Sequence, residues 1–162
     1  MPDSAPVYLS GERHFCIWLP AGRGSVERPG LTLGPEPGGQ VDGIAFHLPP
    51  GEEAYELTLV FRREMLSDTY NATWVTINTA DGLVPALTFV ANRNETPYAG
   101  APDDKTIADV LASATGVLGS SADYLWQTID HLAELGIRDP RLEGIAALMH
   151  RPRGDYTVPA HG

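Results

Sequence analysis

Residues 57–75 read LTLVFRREMLSDTYNATWV and change period halfway along. Leu57, Val60, Phe61 and Met65 recur at the three- and four-residue spacing of one helix face. From Tyr70 onward, β-branched and aromatic residues take over, which is the composition of a strand. Ser67-Asp68-Thr69 separates the two patterns. The helix is predicted to follow Pro49-Pro50-Gly51 and to reach about Leu66, with Glu52 and Glu53 in its first turn, where the helix dipole favours negative charge. It carries the carboxylate of Glu64 to its far end.

Before that helix the pattern is one of short strands. Residues 7–9 and 14–19 (HFCIWL) alternate or run apolar, and the turn-rich stretch PAGRGSVERPG separates them from a brief strand at 31–33. GPEPGG then leads to VDGIAFHL, a strand over 41–48 in which Gly43 predicts a bulge or a close backbone approach. The first third is thus predicted to be an antiparallel meander. After the helix, residues 71–79 and 83–91 form two strands joined by Ala80-Asp81-Gly82, whose Asp-Gly pair is a strong hairpin signal; this pair is expected at the centre of the sheet. Residues 92–104 make a long polar connection of a length that usually has a task.

The last third is helical. A helix over 106–118 precedes Ser120-Ser121, which cap a second over 122–135 with Leu125, Ile129, Leu132 and Leu135 on one face and Gly136 as its stop. Asp139-Pro140 supplies a cap and first-turn proline for a third, reaching about His150 with Leu142, Ile145, Ala146 and Met149 on one face. Residues 151–162 carry no periodicity and read as a tail, as do the first six. Strands followed by helices within 162 residues give one α+β domain over 1–150.

Composition narrows the function. A formal charge of −10 argues against nucleic acid and anionic membranes as partners, since both demand a basic face. No window approaches the ~18 apolar residues of a membrane span, and the N-terminus lacks the form of a signal peptide, so a soluble cytoplasmic protein is expected. The lone Cys16, inside FCIWL, excludes an internal disulfide and reads as core packing. The five histidines share no local metal spacing, and no metal or cofactor is expected. No G-x-S-x-G elbow marks a serine nucleophile. Gly22-Arg23-Gly24-Ser25 has the groups to hold an anion but not the strand-loop-helix context, and reads as a hairpin loop. Tyr70, Tyr98 and Tyr124 are each either packed rings or hydrogen-bonding walls of a pocket. Glu64 is either a proton-transfer group at the mouth of a small barrel or a solvated helix-end glutamate.

ERPGLTLG (27–34), DGIAFHL, FRREM, the strand start at Tyr70, PYAG (97–100), SSADYLWQTIDHL (120–132) and ELGIRDPRLE (134–143) occur in one order and spacing. In these motifs, which cover about residues 7–150, the chain resembles the ChaC-type γ-glutamylcyclotransferases. The resemblance implies a small mixed or antiparallel β-barrel flanked by helices. It also implies cleavage of the γ-glutamyl bond of glutathione, giving 5-oxoproline and cysteinylglycine without a cofactor. Glu64 in FRREM matches the family's catalytic glutamate, and Tyr70, Tyr98 and Tyr124 fall where the family places substrate-binding tyrosines. One carboxylate is enough for such a reaction. The α-amine of the substrate is a tethered nucleophile, so the enzyme holds a folded conformer and moves a proton.

The family's tyrosine-glycine-serine-leucine loop, which cradles the γ-glutamyl group with backbone N–H donors, does not occur in the 162 residues. Either the chain as given starts late or this member has lost the cradle, whose donors are typically worth ~3–4 kcal/mol each to the transition state. Without it the barrel is expected to be open, and pairing of strand edges into a homodimer becomes possible. Two functions therefore stand at this point: a glutathione-directed cyclotransferase, or an inactive protein of the same fold that binds a small acidic ligand or a partner chain.

Overall fold

The computed structural model describes residues 6–9, 12–38, 40–65 and 67–149. In chain order its elements are β1 (Pro6–Leu9), β2 (Glu12–Leu19), β3 (Gly30–Glu36), β4 (Val41–Ile44), α1 (Glu53–Glu64), β5 (Tyr70–Thr79), β6 (Gly82–Ala91), α2 (Asp104–Ser113), β7 (Thr115–Gly116), β8 (Gly119–Ser120), α3 (Ser121–Glu134) and α4 (Pro140–Leu148). The chain divides into two compact units: unit 1 is Met1–His14 with Leu33–Tyr98, and unit 2 is Phe15–Thr32 with Ala99–Gly162. The α+β class is as expected. The predicted tail at 151–162 lies outside the described residues, as do His150 and His161.

Unit 1 is built on a four-stranded antiparallel sheet of order β4-β1-β5-β6. The hairpin forms where Asp81-Gly82 predicts it, with Thr79 opposite Gly82 and Gly82 at φ +115°, a conformation glycine adopts without steric cost. β5 is interior, but β6 stands at an edge instead of at the centre. The meander is also rearranged. β1 pairs with β4 and β5, while β2 pairs only with β3 in a separate two-stranded sheet. Barrel closure requires every strand to have two neighbours. With β4 and β6 as edges, the described residues form open sheets and no closed barrel.

β4 ends at Ile44 and does not reach residue 48, because its register finishes opposite Pro6, which has no N–H to extend the ladder. No bulge forms at Gly43. It sits in regular register with Val7, and no atom lies within 4 Å of where a Cβ would stand. Helix α1 buries none of its residues completely. Its apolar stripe meets the sheet through Phe61, whose ring packs edge-on against Phe89 of β6 at 5.5 Å. The helix stops at Glu64, two residues short of the predicted end, with Met65 as its C-cap.

Unit 2 holds most of the fully buried apolar side chains. Ile107 and Leu111 of α2, Leu125 and Leu132 of α3, and Leu142 and Ile145 of α4 are buried, as are Phe15, Cys16, Ile17 and Leu31 from the strand segments. Each such side chain contributes about 1.5–3 kcal/mol relative to exposure. The caps explain the helix boundaries. Asp103 accepts from the N–H of Thr106 (2.7 Å), Ser120 and Asp123 form a reciprocal capping box, and Asp139 accepts from Leu142 (3.1 Å) ahead of Pro140. Gly136, at φ +72°, ends α3.

The predicted helix over 106–118 stops at Ser113 instead. Ala114 is extended, and residues 115–120 fold into the small hairpin of β7 and β8. Two glycines make this the better solution: Gly119 takes φ +105°, and Gly116 lies against the loop at 22–24, where any Cβ would strike the carbonyl oxygens of Gly22 and Gly24. The N–H of Leu118 donates to Gly22 O at 2.8 Å, so loop and hairpin meet backbone to backbone.

Candidate active site

In unit 1, Glu64 is the last residue of α1, with its side chain 23% exposed. Its Oε1 accepts from Nε of Arg63 at 2.7 Å. Arg63 is largely exposed, and a pair of this kind between sequence neighbours contributes little stability. The turn that follows is tied down by Asn92, whose N–H donates to Thr69 O (2.8 Å) and whose Nδ2 donates to Asp68 O (3.0 Å). Tyr70 then opens β5 opposite Ala91.

Tyr98 lies near the end of the connection after β6, and its hydroxyl donates to Oε1 of Glu36 at 2.7 Å. The same oxygen accepts from Nε of Arg93 at 2.9 Å. Glu36, the last residue of β3, is only 5% exposed. A carboxylate this buried is stable as an anion only when paired and hydrogen-bonded, and the arginine and tyrosine meet that condition. Sequence reading missed both Glu36 and Arg93. The signal was weak: Glu36 stands between two prolines in GPEPGG, where turn composition masks a buried position.

Glu36 and Arg93 line a cavity of about 370 Å³ in unit 1, together with Asn71, Thr73, Asn92 and Asn94. Pro35, Pro37, Val75 and Val90 supply its apolar wall. This volume is in the range of small-molecule sites. Because side chains alternate along a strand, Asn71, Thr73 and Val75 share one face of β5, and Tyr70 begins the other. Ala72, opposite Phe89, is on the face where α1 packs. Glu64 and Tyr70 are not among the lining residues. Tyr70 pairs with the lining residue Ala91, and the turn after Glu64 is bonded to the lining residue Asn92.

Tyr124 belongs to unit 2, on α3. Its hydroxyl accepts from Oγ1 of Thr32 at 3.2 Å, and its ring meets Phe15 edge-on at 6.2 Å. Arg23 lies 5.9 Å over the same ring and donates to Ser120 O (3.1 Å) and Gln127 Oε1 (2.7 Å). The GRGS guanidinium is thus engaged within unit 2, in keeping with a loop rather than an anion site. Among the described bonds of the sequence-predicted residues, Glu64 bonds Arg63, Tyr98 bonds Glu36 and Tyr124 bonds Thr32.

Comparison with known proteins agrees with this architecture. The family described as ChaC-like protein matches residues 2–151. The glutathione-specific gamma-glutamylcyclotransferase of Escherichia coli (strain K12) is 36% identical over 168 residues, spanning 89% of this chain and 73% of that protein. A solved structure of the yeast gamma-glutamyl cyclotransferase specific to glutathione, selenomethionine-labelled, matches with a TM-score of 0.76 at 16% identity, covering 94% of this chain and 90% of its own. A second structure of the yeast protein gives 0.75 at 16% identity, with coverages of 90% and 88%. At that identity the likeness is one of fold. The motifs, the family match across nearly the whole chain and the bacterial relative together establish that this chain belongs to the ChaC-like family.

Proposed function

We propose that this chain is a γ-glutamylcyclotransferase acting on glutathione, with Glu64 as general acid and base. The observation that carries the reading is the 36% identity to a bacterial protein named for this activity, over most of both chains. The α-amine of the γ-glutamyl group attacks its own γ-carbonyl carbon. A C–N bond closes the five-membered ring, and the bond from that carbon to the cysteine nitrogen breaks. In net, two protons leave the attacking nitrogen and two arrive on the departing one, so 5-oxoproline and the ammonium form of cysteinylglycine result. The reaction is redox-neutral.

Glu64 takes a proton from the attacking ammonium and returns one to the leaving nitrogen. Its partly shielded position at the end of α1 suits that exchange. Tyr70, Tyr98 and Tyr124 bind the substrate in this reading. It places the protein in the cytoplasm as a soluble enzyme, and the open edges β4 and β6 offer backbone groups through which a second copy can pair. The test is to incubate the chain with glutathione and follow 5-oxoproline, in parallel with Glu64→Gln, which keeps shape and removes proton transfer. Release by the parent and loss in the variant support the reading; equal rates remove Glu64 from it.

A further inference from the structure

Among the described residues Glu36 is the only charged side chain that is buried, and the proton chemistry proposed for Glu64 leaves it without a task. Its backbone is stiff. Pro35 has a fixed φ, and Pro37 confines Glu36 itself to extended conformations, so the carboxylate stands on a rigid end of β3. Two side chains converge on its Oε1: the Nε–H of Arg93 at 2.9 Å and the hydroxyl of Tyr98 at 2.7 Å. The segment that bears them folds back through two turn bonds, from Glu95 N–H to Asn92 O (3.3 Å) and from Tyr98 N–H to Glu95 O (3.0 Å). One oxygen thereby fastens both ends of the run from Arg93 to Tyr98.

The members of this cluster do different things. A phenol has a single proton, and an ionised carboxylate is a stronger acceptor than a neutral group, so the bond to Glu36 sets the direction of the Tyr98 O–H. Arg93 balances the charge that this bond requires inside the protein. A hydroxyl held in one place before a ligand arrives lowers the ordering cost of binding. We infer that Glu36 is a positioning residue: it touches no reacting atom, and it holds the Tyr98 hydroxyl where the substrate meets it. This rests on the proposed function, which gives Tyr98 to the substrate. Glu36 then affects how tightly glutathione binds and not how fast the bound molecule closes its ring, a step that belongs to Glu64.

The experiment measures KM for glutathione and kcat for 5-oxoproline release in the full chain, in Glu36→Leu, in Tyr98→Phe and in the double variant. Glu36→Leu removes the acceptor. KM should rise by about tenfold or more, the worth of a hydrogen bond to a charged group, while kcat stays within about threefold of the parent. Tyr98→Phe should show the same split. In the Tyr98→Phe background, Glu36→Leu should move KM by less than about twofold, because residues that act as one unit are not additive. A Glu36 that served stability alone would reduce the folded fraction and so lower the apparent kcat at constant KM. That result, a smaller rise in KM, or effects that multiply in the double variant overturns the inference.

If circular dichroism shows that Glu36→Leu does not fold, Glu36→Asp replaces it. The shorter side chain keeps the charge and withdraws the oxygen from Tyr98, so the same split and the same lack of additivity must appear; any other pattern overturns the inference. Failure of the proposed function is a separate result. If the parent releases no 5-oxoproline, the dissociation constant for glutathione, measured by calorimetry, takes the place of KM. The same pattern across the variants then refutes the activity and leaves the role of Glu36 standing, whereas no binding, or any other pattern, overturns both.

Discussion

The two units of this chain spend their apolar residues differently. Among the described residues, every fully buried apolar side chain except Ile77 and Ala91 belongs to unit 2. Unit 1 leaves Phe46, Trp74 and Leu83 largely exposed and buries a carboxylate, Glu36. Stability in this chain is therefore concentrated in the packed helices α2, α3 and α4. Unit 1 carries the cavity, the charged pair Glu36–Arg93 and the carboxylate proposed for proton transfer. Burial of apolar surface and display of reactive groups compete for the same side chains, and here the competition is settled by separating them.

Substitutions can test this contrast. The largest effect is expected from Glu64→Gln in unit 1, which should lower 5-oxoproline release by about 10²–10⁴-fold. Because the described bond of Glu64 runs to a surface arginine, the melting temperature of the variant should stay close to that of the parent. A loss of structure along with activity would break the division of labour. The converse is Leu125→Ala in unit 2, where the side chain is fully buried; about 2–5 kcal/mol of stability should go, measured by urea unfolding. Leu83→Ala in unit 1, at 73% exposure, should change stability by no more than about 0.5 kcal/mol. Ser120→Ala removes one half of the capping box of α3 and should cost about 1 kcal/mol.

The smallest effect concerns acid. The N–H of Thr106 holds the carboxylate of Asp103 below the usual aspartate range. A group depressed in the folded state stabilises it at pH values above its unfolded pKa, and that contribution fades as pH falls through the lower folded value. Melting temperature should therefore drop below about pH 4. Asp103→Asn, which keeps a capping oxygen without the charge, should fall less steeply over the same range. Identical slopes would show that the cap is not what acid removes.

Much of the local structure was legible in the sequence because its causes are local. Asp81-Gly82 specified a hairpin, Ser120-Ser121 a helix start, Asp139-Pro140 another, and Gly136 an end. What failed depended on distant partners. Nothing in residues 41–48 shows that their ladder must stop opposite Pro6, and nothing near β1 shows that it sits beside β4 and β5 instead of β2. The helix predicted over 106–118 was cut short by glycines whose importance lies in a loop some ninety residues away. Of the proposed site, Glu64 and the three tyrosines came from motif resemblance. Glu36 was invisible because its burial requires Arg93, 57 residues on, and Tyr98, 62 residues on.

The backbone-to-backbone junction between the loop at 22–24 and the β7–β8 hairpin has a bearing on engineering. At positions 24 and 116 the neighbouring main chain occupies the volume that a methyl group would need, so what is selected there is the lack of a side chain and not any reactivity. A library randomised at those two sites and screened for folded product should return glycine at both. The same screen at Gly144, which has no atom within 4 Å of where a Cβ would stand, should accept alanine freely.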